Sequence, residues 1–150
     1  MEGNSLENDM GIIPRTFNQI FEKIEQASDT EEYMIRVSML EIYNEKLKDS
    51  LSSNLQSEQG LEIHGDSQKG FYVKNLETFN VSSPKEMLTK LDFGKSQRQV
   101  RATEMNDYSS RSHSIFTVII ESSFKDQTGQ SAFRIGKLNL VDLAGSEKTK

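Results

Sequence analysis

Residues 106–113 read NDYSSRSH, which sets three serine hydroxyls (Ser109, Ser110, Ser112) around one guanidinium, Arg111. An apolar run, IFTVII at 115–120, comes directly after, so this polar cluster sits at the mouth of a strand. Serine hydroxyls can ligate Mg²⁺ or hydrogen-bond phosphate oxygens. An arginine can neutralise a phosphate or grip a carboxylate with a bidentate fork. A second cluster, KLNLVDLAGSE at 137–147, brings Asp142 to the C-terminal end of an apolar strand, with Gly145 three positions later. Ligands of open α/β sheets bind beyond strand carboxyl ends. An aspartate there can hold a Mg²⁺-bound water. A nearby glycine lets a backbone N–H approach a terminal phosphate unobstructed. Taken separately, each cluster also fits a bland reading: an aspartate-opened turn for one, a polar loop or an R-x-S modification site for the other. Glu147, beyond Gly145, is the carboxylate best placed to answer Arg111.

The elements that must position these groups are set by periodicity. Ile13, Phe17, Ile20, Phe21 and Ile24 recur at helical spacing within 12–26, with Pro14 tolerated in the first turn. YMIRVSMLEIY at 33–43 reads as a strand buried on at least one face, extended by NEKLKDSL as a short helix or turn. Residues 52–60 read as a loop and 61–81 as two or three short strands about a glycine turn. A Ser-Ser-Pro start with Glu86 in the first turn opens a helix over 82–100, with Met87, Leu88 and Leu91 on its apolar stripe. Strands at 114–124 and 133–143 come next, joined by the polar turn KDQTGQ. The two polar clusters therefore flank one β-hairpin. Lys95, Arg98 and Arg101 make a basic patch beside the first cluster, suited to phosphate or to a helix C-terminus. His113 reads as a packed, hydrogen-bonded residue, and His64 as a surface one.

Composition narrows the function classes. With 150 residues the chain can build one core, and 34% apolar against 27% charged residues is a soluble balance. No apolar run approaches membrane-spanning length, so no membrane role is expected. The acidic opening MEGNSLENDMG carries no apolar signal segment. The absence of cysteine excludes disulfides, thiolate zinc sites and cysteine nucleophiles. A net charge of −5 argues against nucleic acid as the main partner.

Together, NxxSSRSH and DLAGSE in this order across a hairpin resemble the switch I and switch II loops of the kinesin motor family. GIIPR at 11–15, VSMLEIYNEKLKDSL at 37–51 and GKSQRQVRATEMN at 94–106 resemble its intervening segments, and MEG resembles the tail of its phosphate-loop helix. The resemblance implies an α/β, P-loop NTPase-type motor domain: a mixed central β-sheet with flanking helices, here partial and incomplete at both ends. No G-x-x-x-x-G-K-[ST] run occurs in these residues. It implies ATP and Mg²⁺ as ligands, the microtubule (tubulin) as partner, a cytoplasmic, cytoskeletal location, and oligomerisation through segments not in this chain. By that resemblance Ser110 meets Mg²⁺ and the γ-phosphate, while Asn106 and Ser109 position the lytic water. Asp142 holds Mg²⁺ through water and Gly145 donates its amide to the γ-phosphate. Arg111 and Glu147 form a latch, and Glu147 relays the water's proton. Two other readings stand against it. One is a non-catalytic regulatory or interaction fragment on the same scaffold, consistent with the missing Gly-rich loop. The other is a GTPase-like switch protein, disfavoured because no N-K-x-D run is present.

Overall fold

A computed structural model describes residues 11–52, 61–67, 70–104, 111–126 and 128–145, with the backbone alone for 101–104. Within it, helix α1 (Ile12–Glu25) is succeeded by strands β1 (Glu32–Tyr43) and β2 (Lys46–Asp49). A hairpin of β3 (Glu62–Asp66) and β4 (Gly70–Lys74), the short β5 (Phe79–Asn80), helix α2 (Pro84–Glu104), and strands β6 (His113–Lys125) and β7 (Ser131–Asp142) complete the order. The main sheet runs β2-β1-β6-β7, with β5 also on β1, and every described pair is antiparallel. The α/β class expected from sequence is therefore present as a sheet with two helices. No described helix is long and apolar enough to cross a membrane.

Alternation along β1 turns Ile35, Val37 and Met39 towards the helices. There they meet Ile13, Phe17 and Phe21 of α1, Met87 and Leu91 of α2, and Phe116 and Val118 of β6. Phe17 and Phe116 pack ring against ring at 5.7 Å. On the opposite face of the sheet Arg36 pairs with Glu121. Helix α2 starts as its residues dictate. Pro84 takes the first helical position, the Ser83 hydroxyl accepts from Glu86 N–H at 3.2 Å, and the Glu86 carboxylate accepts from Ser82 N–H at 2.7 Å. The backbone N–H and the hydroxyl of Ser82, in that order, hold the Glu86 carboxyl below its ordinary value.

One expectation needs correcting. NEKLKDSL is neither helix nor bare turn: Asn44 and Glu45 both take positive φ (49° and 61°), and the chain reverses into β2 as a two-residue hairpin. Asparagine tolerates that conformation, and the inward-facing carboxylate of Asp49 then anchors the chain leaving β2. Its oxygens accept from the N–H groups of Leu51, Ser52 and Glu77. Helix α2 approaches β1 very closely. A Cβ on Gly94 would lie 2.2 Å from Met39 Sδ, so only glycine fits that contact as it stands.

Candidate functional site

Sheet register builds the site. Glu41 of β1 pairs with Ser114 of β6, and Ser114 pairs with Asp142 of β7. Laterally paired residues project to the same face, here the helix face that Met39 and Leu140 also share. The C-terminal ends of β1 and β7 and the start of β6 thus meet in one row beneath the last turns of α2. The described parts of the two polar clusters, 111–113 and 142–145, are brought to one end of the sheet, as their placement on a hairpin requires.

Arg98 lies over this row. Its Nη1 donates to Asp142 Oδ2 at 2.9 Å, its Nε to Ser112 Oγ at 3.1 Å, and its Nη2 to the Ser112 carbonyl at 3.0 Å. Its Nε is also 3.5 Å from Glu41 Oε1, an ion pair with a carboxylate that has no solvent exposure. Burial rises along the row: the Asp142 side chain is 58% exposed and that of Arg98 17%. Charge-assisted bonds of this kind are the strong ones, and a guanidinium fork suits a two-carboxylate site better than an ammonium. Lys95, about one turn earlier, joins Ile13, Met39, Leu91 and Leu140 in lining a cavity of about 190 Å³ beside Asp142. Burial holds the Lys95 ammonium below its ordinary value, and the Asp142 carboxylate partly opposes that. His113 ties the two loops from the other side, its Nδ1 accepting from the Ala144 N–H at 3.1 Å.

Of the sequence-predicted residues, Arg111, Asp142 and Gly145 fall within the described chain, all exposed at this edge. Asn106, Ser109, Ser110 and Glu147, and with Glu147 the latch to Arg111, lie outside the described residues. His113 is the hydrogen-bonded residue expected. Arg98, expected in a basic patch beside this cluster, turns inward onto Ser112, Asp142 and Glu41. Two sequence signals point that way. Arg98 falls on the stripe of Met87 and Leu91, and Glu41 shares the parity of Ile35, Val37 and Met39, so a cation and an anion both face the core. Among the described residues no group of three or more His, Asp or Glu side chains is set to hold a metal ion. Mg²⁺ needs less: it keeps several waters and takes one or two carboxylates. Asp142, a hard oxygen donor with an open side, fits that demand.

A family model, the kinesin motor domain, matches residues 1–150. The chain is 41% identical over 149 residues to kinesin-like protein KIF3C of Mus musculus, covering 99% of this chain and 18% of that protein. It is 44% identical over 142 residues to kinesin-like protein KIN-7N of Arabidopsis thaliana, covering 95% and 17%. The chain thus spans less than a fifth of the length of these curated relatives. The solved structure of a fast kinesin superposes with a TM-score of 0.85 at 41% identity, covering 99% of this chain and 41% of that one. With matching loops on a matching sheet, the chain belongs to the kinesin motor domain family.

Proposed function

We propose that this chain carries the switch loops of an ATP-driven microtubule motor, working in the cytoplasm on the cytoskeleton. The observation that carries the reading is the register that sets Ser114 beside Asp142, so that the described RSH and DLAG segments, 111–113 and 142–145, meet at one end of the sheet and are tied by Arg98 and His113. In this reading 1–150 is a partial motor domain. These residues hold no G-x-x-x-x-G-K-[ST] run, so the phosphate-cradling loop has to come from outside them. Bound Mg²⁺ would neutralise charge on the β- and γ-phosphates. Ser110 and Asp142 are the residues to hold it, Asp142 through a water. Gly145 offers its amide to the γ-phosphate, and Asn106 and Ser109 orient the attacking water. Arg111 closes onto Glu147, and Glu147 passes on the proton. Phosphoryl transfer asks mainly for positioning and charge stabilisation, which two loops closing on a phosphate provide. Their opening when the phosphate leaves is a recurrent switching device.

The test uses a motor that contains these residues together with a phosphate loop. Glu147→Ala should lower ATP hydrolysis by roughly 10²–10⁴-fold while sparing ATP binding, the loss typical of a missing proton carrier. Arg111→Ala should behave alike, and the double variant should be little worse than either, because residues acting as one unit are not additive. Single-turnover rates decide. Losses that multiply, or near-normal hydrolysis by Glu147→Ala, would overturn the latch.

A further inference from the structure

Glu41 is a buried carboxylate for which the proposed reaction has no task. It stands at the inner end of the Glu41–Ser114–Asp142 row, fully shielded from solvent, and Asp142 stands half-exposed at the outer end. Two strand spacings separate the ends, about 10 Å. Arg98 spans that gap, with Nε 3.5 Å from Glu41 Oε1 and Nη1 2.9 Å from Asp142 Oδ2. One guanidinium therefore serves two carboxylates. The two carboxylates compete for one fork, and Glu41, at the end where water is excluded, draws the guanidinium inward against the half-exposed Asp142. An uncompensated buried carboxylate is costly, so Glu41 also ties Arg98 to this position.

We infer that Glu41 is a positioning residue for Arg98: by sharing the guanidinium with Asp142, the buried carboxylate keeps the Arg98–Asp142 bond exchangeable, so that Asp142 can accept a Mg²⁺-bound water instead. The inference rests on the proposed reading of Asp142 as the carboxylate that meets Mg²⁺. Glu41 touches neither metal nor nucleotide in this scheme. It sets how strongly Arg98 competes for Asp142.

The experiment measures the Mg²⁺ concentration needed for half-maximal retention of a fluorescent ADP analogue by a motor containing these residues, a binding readout independent of turnover. Glu41→Gln keeps the volume and removes the charge, which frees Arg98 to hold Asp142 without this competing carboxylate. The Mg²⁺ requirement should rise by about tenfold. Glu41→Gln/Arg98→Gln removes the competitor and leaves no lone buried charge, so its requirement should fall below that of the parent. A purely structural role for Glu41 would lower the melting temperature of both variants without moving the requirement in opposite directions. Asp142→Asn separates the two ideas. If it leaves the Mg²⁺ requirement unchanged, the reading of Asp142 fails and this inference fails with it. If Asp142→Asn shifts the requirement and Glu41→Gln does not, the inference alone is wrong. Should Glu41→Gln not fold, Glu41→Asp carries the test, because it keeps the charge but withdraws it from Arg98. A smaller rise is expected, and no rise overturns the inference.

Discussion

Strands β1 and β7 flank β6 on its two edges and pair with it over similar lengths, yet they live in different surroundings. Every residue of β1 from Val37 to Glu41 is buried, whichever face it points to, whereas no residue of β7 is. Their sequences do not announce the difference. SAFRIGKLNLVD sets Phe133, Ile135 and Val141 on one face, with only Lys137 and Asn139 between them to hint that it is open. What differs is the neighbourhood. β1 has strands on both edges and two helices across one face. Among the described residues β7 has one strand beside it, and it leaves Phe133 79% and Ile135 69% exposed. Alternation says which side chains share a face, and the rest of the fold decides whether that face is dry.

Charge insertion should break the symmetry between the two strands most sharply. Val37→Lys puts an unpaired ammonium at a site 1% exposed and is expected to abolish the cooperative melt of the chain. Ile135→Lys should leave melting within about 0.5 kcal/mol of the parent. It should also reduce self-association, because a lysine on an open edge strand discourages further pairing. Size-exclusion chromatography with thermal denaturation reads both, and a stable Val37→Lys would refute the contrast. A moderate effect is expected at the helix–strand contact. Gly94→Ala needs Met39 to move and should cost about 1–3 kcal/mol in denaturant unfolding, as overpacking does. The control is Gly136→Ala in β7, whose added Cβ meets nothing nearer than 3.9 Å. The smallest effect concerns the cap of the helix that covers β1. Because the folded Glu86 carboxyl is held below its ordinary value of 4.5, its contribution is complete above that pH. It is lost as pH falls through the lower, folded value. Stability measured from pH 6 downwards should therefore drop slightly less steeply in Glu86→Gln than in the parent. Identical profiles would remove Glu86 from the account.

Much of this was legible from residue types. The stripes of α1 and α2, the Ser-Ser-Pro cap, the glycine hairpin and the pairing of the last two strands obey short-range rules, and the structure agrees with them. The turn at Asn44–Glu45 escaped because glutamate seldom takes positive φ, so the usual hairpin dipeptide was not there to be seen. Arg98 and Glu41 escaped for a different reason. Glu41 is hidden among apolar neighbours and Arg98 among other polar and basic residues of α2, and each makes sense inside only because the other is there. A pair separated by this much chain is visible only when the face of a strand and the stripe of a helix are read together. Asn106, Ser109, Ser110 and Glu147 stand on motif spacing alone, since they lie outside the described residues.

The missing side chain at Gly94 has a consequence beyond packing. It lets α2 ride close over the Met39 and Leu51 side chains, and Arg98 stands four positions further along that same helix. That span is about one turn, near 6 Å of axis. The reach of an arginine is finite, so the gap between helix and sheet acts as a machined clearance with a tolerance of about one methyl group. Thicken it, and the guanidinium is drawn away from both carboxylates at once. A residue with no functional group thereby calibrates the contact between a helix and two strands, and it does so from a position where no chemistry occurs.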